Sequence, residues 1–152
     1  MGQSSQKSPA IAPLGLDHVV IRIADLDRAV AFYCDILGCV MDRRRDDLGL
    51  YHLRAGTAQI DLVTLDGELG KKSGRPPSAA GDATSPNMDH FCLRIEPFDG
   101  PALLDYLRGH GLAPSEIAQR YGAGGKGPSL YIQDPDGNTV ELKGPENSPK
   151  LD

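Results

Sequence analysis

A chain of 152 residues, 39% hydrophobic and 24% charged with a net charge of -5, has the composition of a globular domain able to bury its own core. The single basic triplet, Arg43-Arg44-Arg45, runs straight into Asp46-Asp47, which argues against a nucleic-acid partner. No apolar run approaches the roughly 20 residues of a membrane-spanning helix, so a membrane partner is not expected either.

Residues 1–13, rich in Ser, Gln, Pro and Ala, read as a disordered tail. Their opening departs from the myristoylation pattern at Gln6 and lacks the apolar stretch of a signal peptide. Cys34, Cys39 and Cys92 show no paired spacing and suit small buried hydrophobes in a reducing compartment. The expected location is the cytoplasm.

Leu16 to Ile23 is a short apolar run of strand length. Asp25 then offers a helix cap, and Leu26, Ala29, Val30, Phe32, Tyr33, Ile36 and Leu37 recur at helical spacing before Gly38 stops them. Cys39 to Arg45, Leu48 to Arg54 and Ala58 to Thr64 fit three strands separated by turn-type stretches. Residues 65–87 change texture to Gly, Pro, Ser and Lys and read as a linker. Met88 to Ile95 is a further strand, and Phe98, Leu103, Leu104 and Leu107 mark a second helix ending near Gly109 and Gly111. The glycine-rich Gly122 to Gly127 reads as a loop or flap, with Lys126 available to an anionic group. It is not a phosphate-binding P-loop, because no glycine sits four residues before Gly-Lys. Leu130 to Gln133, the turn Asp134-Pro135-Asp136-Gly137-Asn138 and Thr139 to Lys143 close the fold, leaving 145–152 as a tail.

The chain repeats itself. Leu16-Asp17-His18-Val19-Val20-Ile21-Arg22-Ile23 returns 72 positions later as Met88-Asp89-His90-Phe91-Cys92-Leu93-Arg94-Ile95, with four of eight positions identical. Tyr51 to Asp61 and Tyr131 to Glu141 each span ten positions across a glycine turn. The expected architecture is α+β: two strand-helix-strand-strand-strand modules, 14–64 and 88–144, within one domain.

Alternation on a strand puts His18 with Arg22 on one face, and His90 with Arg94 on the equivalent face. A pseudo-two-fold between the modules then sets His18 opposite His90 and Asp61 opposite Glu141. Two imidazoles and two carboxylates on rigid strands make a mixed nitrogen and oxygen site for a divalent metal. His52 and His110 read as surface or packing residues.

These residues carry a family resemblance. The strand Leu16 to Ile23, the helix segment Arg28 to Tyr33, Leu37-Gly38, Met88-Asp89-His90 and the closing Tyr131 to Leu142 resemble the vicinal oxygen chelate superfamily. That superfamily includes glyoxalases, fosfomycin-modifying enzymes, methylmalonyl-CoA epimerases, extradiol dioxygenases and bleomycin resistance proteins. The stretch Gly125-Lys126-Gly127-Pro128 is similar to a branch of small, single-domain, lactoylglutathione lyase-related proteins.

The resemblance implies two βαβββ modules forming a curved mixed sheet around a metal cavity. It implies metal ligands at His18, His90, Glu141 and Asp61, for an ion such as Ni, Zn, Mn, Fe or Co. Asp61 is one methylene shorter than the Glu usual there, so it coordinates where the strand sits closer, or through water. Glu141 is the implied proton shuttle, assisted by Asp61. Arg22, four residues past His18, matches the spacing of a glutathione-binding arginine, and Arg94 follows by symmetry. The implied activity is a metal-dependent lyase or isomerase. Its substrate is a small molecule with adjacent oxygens, such as a glutathione adduct, converted through an enediolate in a homodimer. A ferrous dioxygenase or thiol transferase using His18, His90 and Glu141 alone is the alternative. A drug-binding protein without catalysis is a further one.

Overall fold

The computed structural model describes residues 16–72, 88 and 90–149. The N-terminal tail and most of the linker lie outside the described residues. Strand β1 (His18–Ile23) turns Val19, Ile21 and Ile23 toward the core and leaves His18, Val20 and Arg22 on the other face. The Asp25 side chain caps the following helix by accepting from the Arg28 amide at 3.0 Å. Helix α1 (Leu26–Val30) continues over Ala31–Ile36 as a wider π-type helix, closed by Leu37 N donating to Phe32 O at 3.0 Å. Gly38 ends it at a φ of +82°, a conformation few other residues adopt.

β2 (Val40–Arg45), β3 (Leu50–Ala55) and β4 (Ala58–Thr64) form an antiparallel meander, and β4 returns beside β1 in parallel, giving the order β1-β4-β3-β2. A short helix, α2 (Glu68–Lys72), follows inside the stretch read as linker.

The second module repeats the plan. β5 (Phe91–Arg94) leads into α3 (Gly100–Gly109), whose first turn is capped by Asp99 accepting from the Ala102 amide at 3.2 Å. β6 (Ala118–Gly122), β7 (Gly125–Gln133) and β8 (Thr139–Lys143) complete the order β5-β8-β7-β6, with β5 and β8 parallel. Each module thus carries its own mixed sheet built on a four-strand path. The glycine-rich stretch is not a flap: Gly122 pairs with Gly125, so it forms the tight turn of the β6–β7 hairpin, and Lys126 pairs with Tyr121. The C-terminal segment folds back, with β9 (Ser148–Pro149) alongside the start of β7.

The two modules share one hydrophobic core. Ile21, Ile23, Phe32, Tyr33, Leu53, Ile60 and Leu62 from the first cluster with Leu107, Leu130, Ile132, Val140 and Leu142 from the second. The turn after β7 ties them together. Asp134 Oδ1 accepts from the amides of Asp136 and Asn138 at 2.9 and 2.7 Å, which closes the turn. Its Oδ2 accepts from the Asn138 side chain and, at 2.7 Å, from the Tyr33 hydroxyl on the first module's helix. Asp136 Oδ1 takes the Ala24 amide at 2.8 Å, fastening the end of β1 to the same turn. No helix among the described residues is long and apolar enough to cross a membrane.

Candidate functional site

Because the core occupies one face of each sheet, the polar residues collect on the other. In the first module, strand pairing sets Val20 beside Asp61 and Asp61 beside His52, with His18 beside Gln59 one row away. In the second, Cys92 lies beside Glu141 and Glu141 beside Tyr131, and the next row holds Arg94, Lys143 and Ser129. Asp61 and Glu141, at repeat-equivalent positions, are 5% and 6% exposed, and a buried carboxylate requires partners.

The spacing of ten residues pairs Tyr51 with Tyr131, whereas the sheet registers pair His52 with Tyr131. Tyr51 is buried on the core face. The β3–β4 connection is only Gly56-Thr57, and the β7–β8 connection is the longer Asp134 to Asn138 turn, which shifts the count by one.

The two half-faces are wired differently. His90 Nε2 lies 3.2 Å from Glu141 Oε2. The His90 ring meets Tyr131 edge-on at 5.3 Å, and the Arg120 guanidinium lies 4.4 Å from the Tyr131 ring centre. On the first module, Asp61 Oδ1 is engaged by His52 Nδ1 at 2.9 Å, and His18 Nδ1 pairs with Asp17 Oδ1 at 2.7 Å. The Asp17 carboxylate, with a smaller contribution from Asp61, raises the His18 pKa above its ordinary value. Desolvation, followed by the neighbouring Glu141, pushes the Cys92 thiol up to about 11, although Cys92 is exposed rather than buried in the core.

The donors fit a divalent ion unequally. Two ligands at about 2.1 Å on adjacent corners of an octahedron stand roughly 3.0 Å apart, close to the separation between His90 and Glu141. The His18 and Asp61 side chains are each turned to another partner. Among the described residues, no three of His, Cys, Asp and Glu gather where one ion could hold them. His18 and His90 do line a common cavity of about 350 Å³ between the modules, with Gln59, Phe91 and Cys92. A second cavity of about 330 Å³ continues past His90 and Glu141 to Arg94, Lys143 and Glu146.

Of the three cations read from the sequence as substrate contacts, Arg94 lines that second cavity. Arg22 donates to the Gly70 carbonyl in α2 at 3.2 Å. Strand alternation sets Lys126 with Leu130 and Ile132, away from Tyr131 and Glu141. Sequence reasoning missed His52, Arg120, Lys143 and Glu146. A two-residue turn at Gly56-Thr57 identifies His52 as the neighbour of Asp61, and that signal was present in the sequence.

A family model described as the glyoxalase/bleomycin resistance protein/dioxygenase superfamily matches residues 15–142. The chain is 25% identical to a virulence protein of Salmonella typhimurium over 128 residues, covering 84% of this chain and 81% of that one. It is 28% identical over 131 residues to a Synechocystis protein named "Probable lactoylglutathione lyase", covering 82% and 91%. The crystal structure of the Salmonella virulence protein superposes with a TM-score of 0.70 at 24% identity, covering 88% of this chain and 98% of that one. A lactoylglutathione lyase structure from Agrobacterium tumefaciens superposes with a TM-score of 0.60 at 21% identity, covering 87% and 94%. At these identities the two structures show the fold alone.

Proposed function

Since this chain belongs to the glyoxalase/bleomycin resistance protein/dioxygenase superfamily, we propose that it is a divalent-metal-dependent lyase or isomerase of the glyoxalase kind. The carrying observation is the close pair of His90 and Glu141, with His18 and the shorter acid Asp61 at the repeat-equivalent positions of the first module. His90 and Glu141 would hold the ion as they stand, and His18 and Asp61 would join them on leaving Asp17 and His52. When bound, it would polarise a carbonyl or diol and stabilise negative charge on adjacent oxygens.

The chain's own residues supply the rest. Glu141 accepts a proton from the carbon next to the substrate oxygens, gives an enediolate-type intermediate, and returns the proton to the neighbouring carbon. Tyr131 packs against His90 and keeps its ring in one orientation, while Arg120 lies over Tyr131 from β6. His52 fixes the direction of Asp61. The substrate is a small molecule with vicinal oxygens, for which 2-oxoaldehyde adducts of glutathione are the first candidates given the names of the relatives. The three unpaired cysteines suit the cytoplasm.

As a homodimer, the protein has two arrangements open to it: each site lies within one chain, where His18 and His90 line one cavity, or the first module of one copy completes the second module of the other. The engagement of Asp61 by His52 also favours a second reading: a three-ligand set of His18, His90 and Glu141, as a ferrous dioxygenase or a thiol transferase would use.

Elemental analysis of the reconstituted protein beside His90→Ala and Glu141→Ala tests the proposal. One divalent ion per site in the parent, lost in both variants, is the expected result. Equally little metal in all three would remove the catalytic reading and leave a binding groove. With metal established, turnover under anaerobic ferrous loading with and without oxygen separates lyase from dioxygenase chemistry.

A further inference from the structure

At the far end of the second open face, Arg94 Nη2 and Lys143 Nζ both point at one oxygen, Glu146 Oε1, each at 3.3 Å. Lys143 is only 6% exposed, an unusual place for an ammonium group, and Glu146 arrives from outside the sheet. It is carried by the segment after β8, which is pinned by Gly144 N to Pro128 O at 2.8 Å and Asn147 N to Lys126 O at 3.0 Å. The β6–β7 hairpin makes room for both ends of the ion pair. A Cβ on Gly122 would stand 2.9 Å from Lys143 Cε, and one on Gly124 would run into the Glu146 carboxylate.

We propose that Arg94 and Lys143 form a subsite for the carboxylate of a small ligand, and that Glu146 fills it as an internal stand-in until the ligand arrives. Three observations carry this. The contacts to Glu146 are longer than the roughly 2.7–2.9 Å of a well-made charge-assisted bond, so a better-placed carboxylate can replace it. The Glu146 side chain is 21% exposed and can swing out while the backbone bonds of its segment remain. The subsite also opens into the cavity that holds His90 and Glu141.

The row of Cys92 and Glu141 and the row of Arg94 and Lys143 are successive on the same face, about 7 Å apart along the strands. The ligand class is therefore a compact molecule whose carboxylate lies roughly that distance from the atoms facing Glu141. The inference rests on the second open face being the substrate surface, but not on a metal.

The test is made on the full chain without metal, using 4-fluorobenzoate followed by fluorine NMR, with 4-fluorobenzyl alcohol as the uncharged control. Glu146→Gln removes the internal competitor and is expected to bind 4-fluorobenzoate about tenfold tighter than the parent, with the alcohol unchanged. Adding Lys143→Met to Glu146→Gln is expected to abolish that gain, with circular dichroism confirming the fold of each variant. Equal binding of 4-fluorobenzoate by the parent and by Glu146→Gln would overturn the proposal and leave the ion pair as a brace for the C-terminal segment. Tighter binding of inorganic phosphate than of 4-fluorobenzoate by Glu146→Gln would overturn the carboxylate assignment. Because no metal is present, metal loss in His90→Ala or Glu141→Ala does not affect any of these outcomes.

Discussion

His52 and Asp61 face each other across β3 and β4, and their 2.9 Å contact decides where the Asp61 carboxylate points. An aspartate is short, and an imidazole behind it fixes the angle at which its free oxygen is presented. Replacing His52 with Ala is expected to weaken metal binding about 10–100-fold while leaving the fold intact, as measured by chelator competition. Unchanged affinity would place Asp61 outside the metal site and favour the three-ligand reading. The repeat made His18, His90, Asp61 and Glu141 readable from the sequence, because the Asp-His pair returned unchanged and an acid returned ten residues past a tyrosine in each module. His52 was not readable by repetition, since its counterpart is Tyr131 and only strand register relates the two. Lys143 and Glu146 escaped for another reason: their pairing depends on how the chain turns back after β8.

The turn between β7 and β8 is the element on which the site's position depends. The motif Asp134-Pro135-Asp136-Gly137-Asn138 lies within the closing stretch Tyr131 to Leu142 that carries the sequence resemblance, and in the structure its chemistry is structural. Asp134 is 5% exposed and accepts four hydrogen bonds, one of them from Tyr33 of the other module. Tyr33→Phe is expected to destabilise the protein by about 1–3 kcal/mol in chemical denaturation, because a buried carboxylate loses a partner. Burial, and then the Asp134 hydrogen bond, raise the Tyr33 hydroxyl pKa far above its ordinary 10.0. The folded state thus binds this proton more tightly than the unfolded state does. The stabilisation is complete below pH 10 and falls as the unfolded chain's tyrosine ionises above it. Thermal stability measured from pH 8 to 11 is expected to fall above about pH 10 in the parent and to fall less steeply in Tyr33→Phe. Parallel curves would mean that this hydroxyl does not govern alkaline unfolding. The helices were readable from the Asp25 cap, the spacing of Phe98, Leu103, Leu104 and Leu107 and the glycine stops, whereas the Asp99 cap was not used and β6 was missed because Ala118 to Gly122 has almost no apolar alternation.

At the scale of the whole molecule, the arrangement of half-sites makes a prediction that does not need the substrate. Suppose each site joins the first module of one copy to the second module of another. Mixing His18→Ala with His90→Ala, each unable to hold metal, would then restore about a quarter of the parent's metal after subunit exchange, since half the dimers would be mixed with one intact site each. Recovery of no metal would place each site within a single chain. The repeat revealed the two modules, but it did not reveal that they share one core, because which helix face packs on which sheet is decided by contacts between residues far apart in sequence.

That shared core lies wholly on one side of each sheet and leaves the opposite side almost unused for holding the chain together. Substitution at the exposed positions of that side, such as Val20 and Cys92, would change what the face presents at little cost to folding, whereas Asp61, Glu141 and Lys143 are buried there and need their partners. Duplicating the module provides two such surfaces, which selection can alter independently. A single scaffold of this kind can be reassigned to new small molecules by exchanging a few strand residues, without first being made more stable.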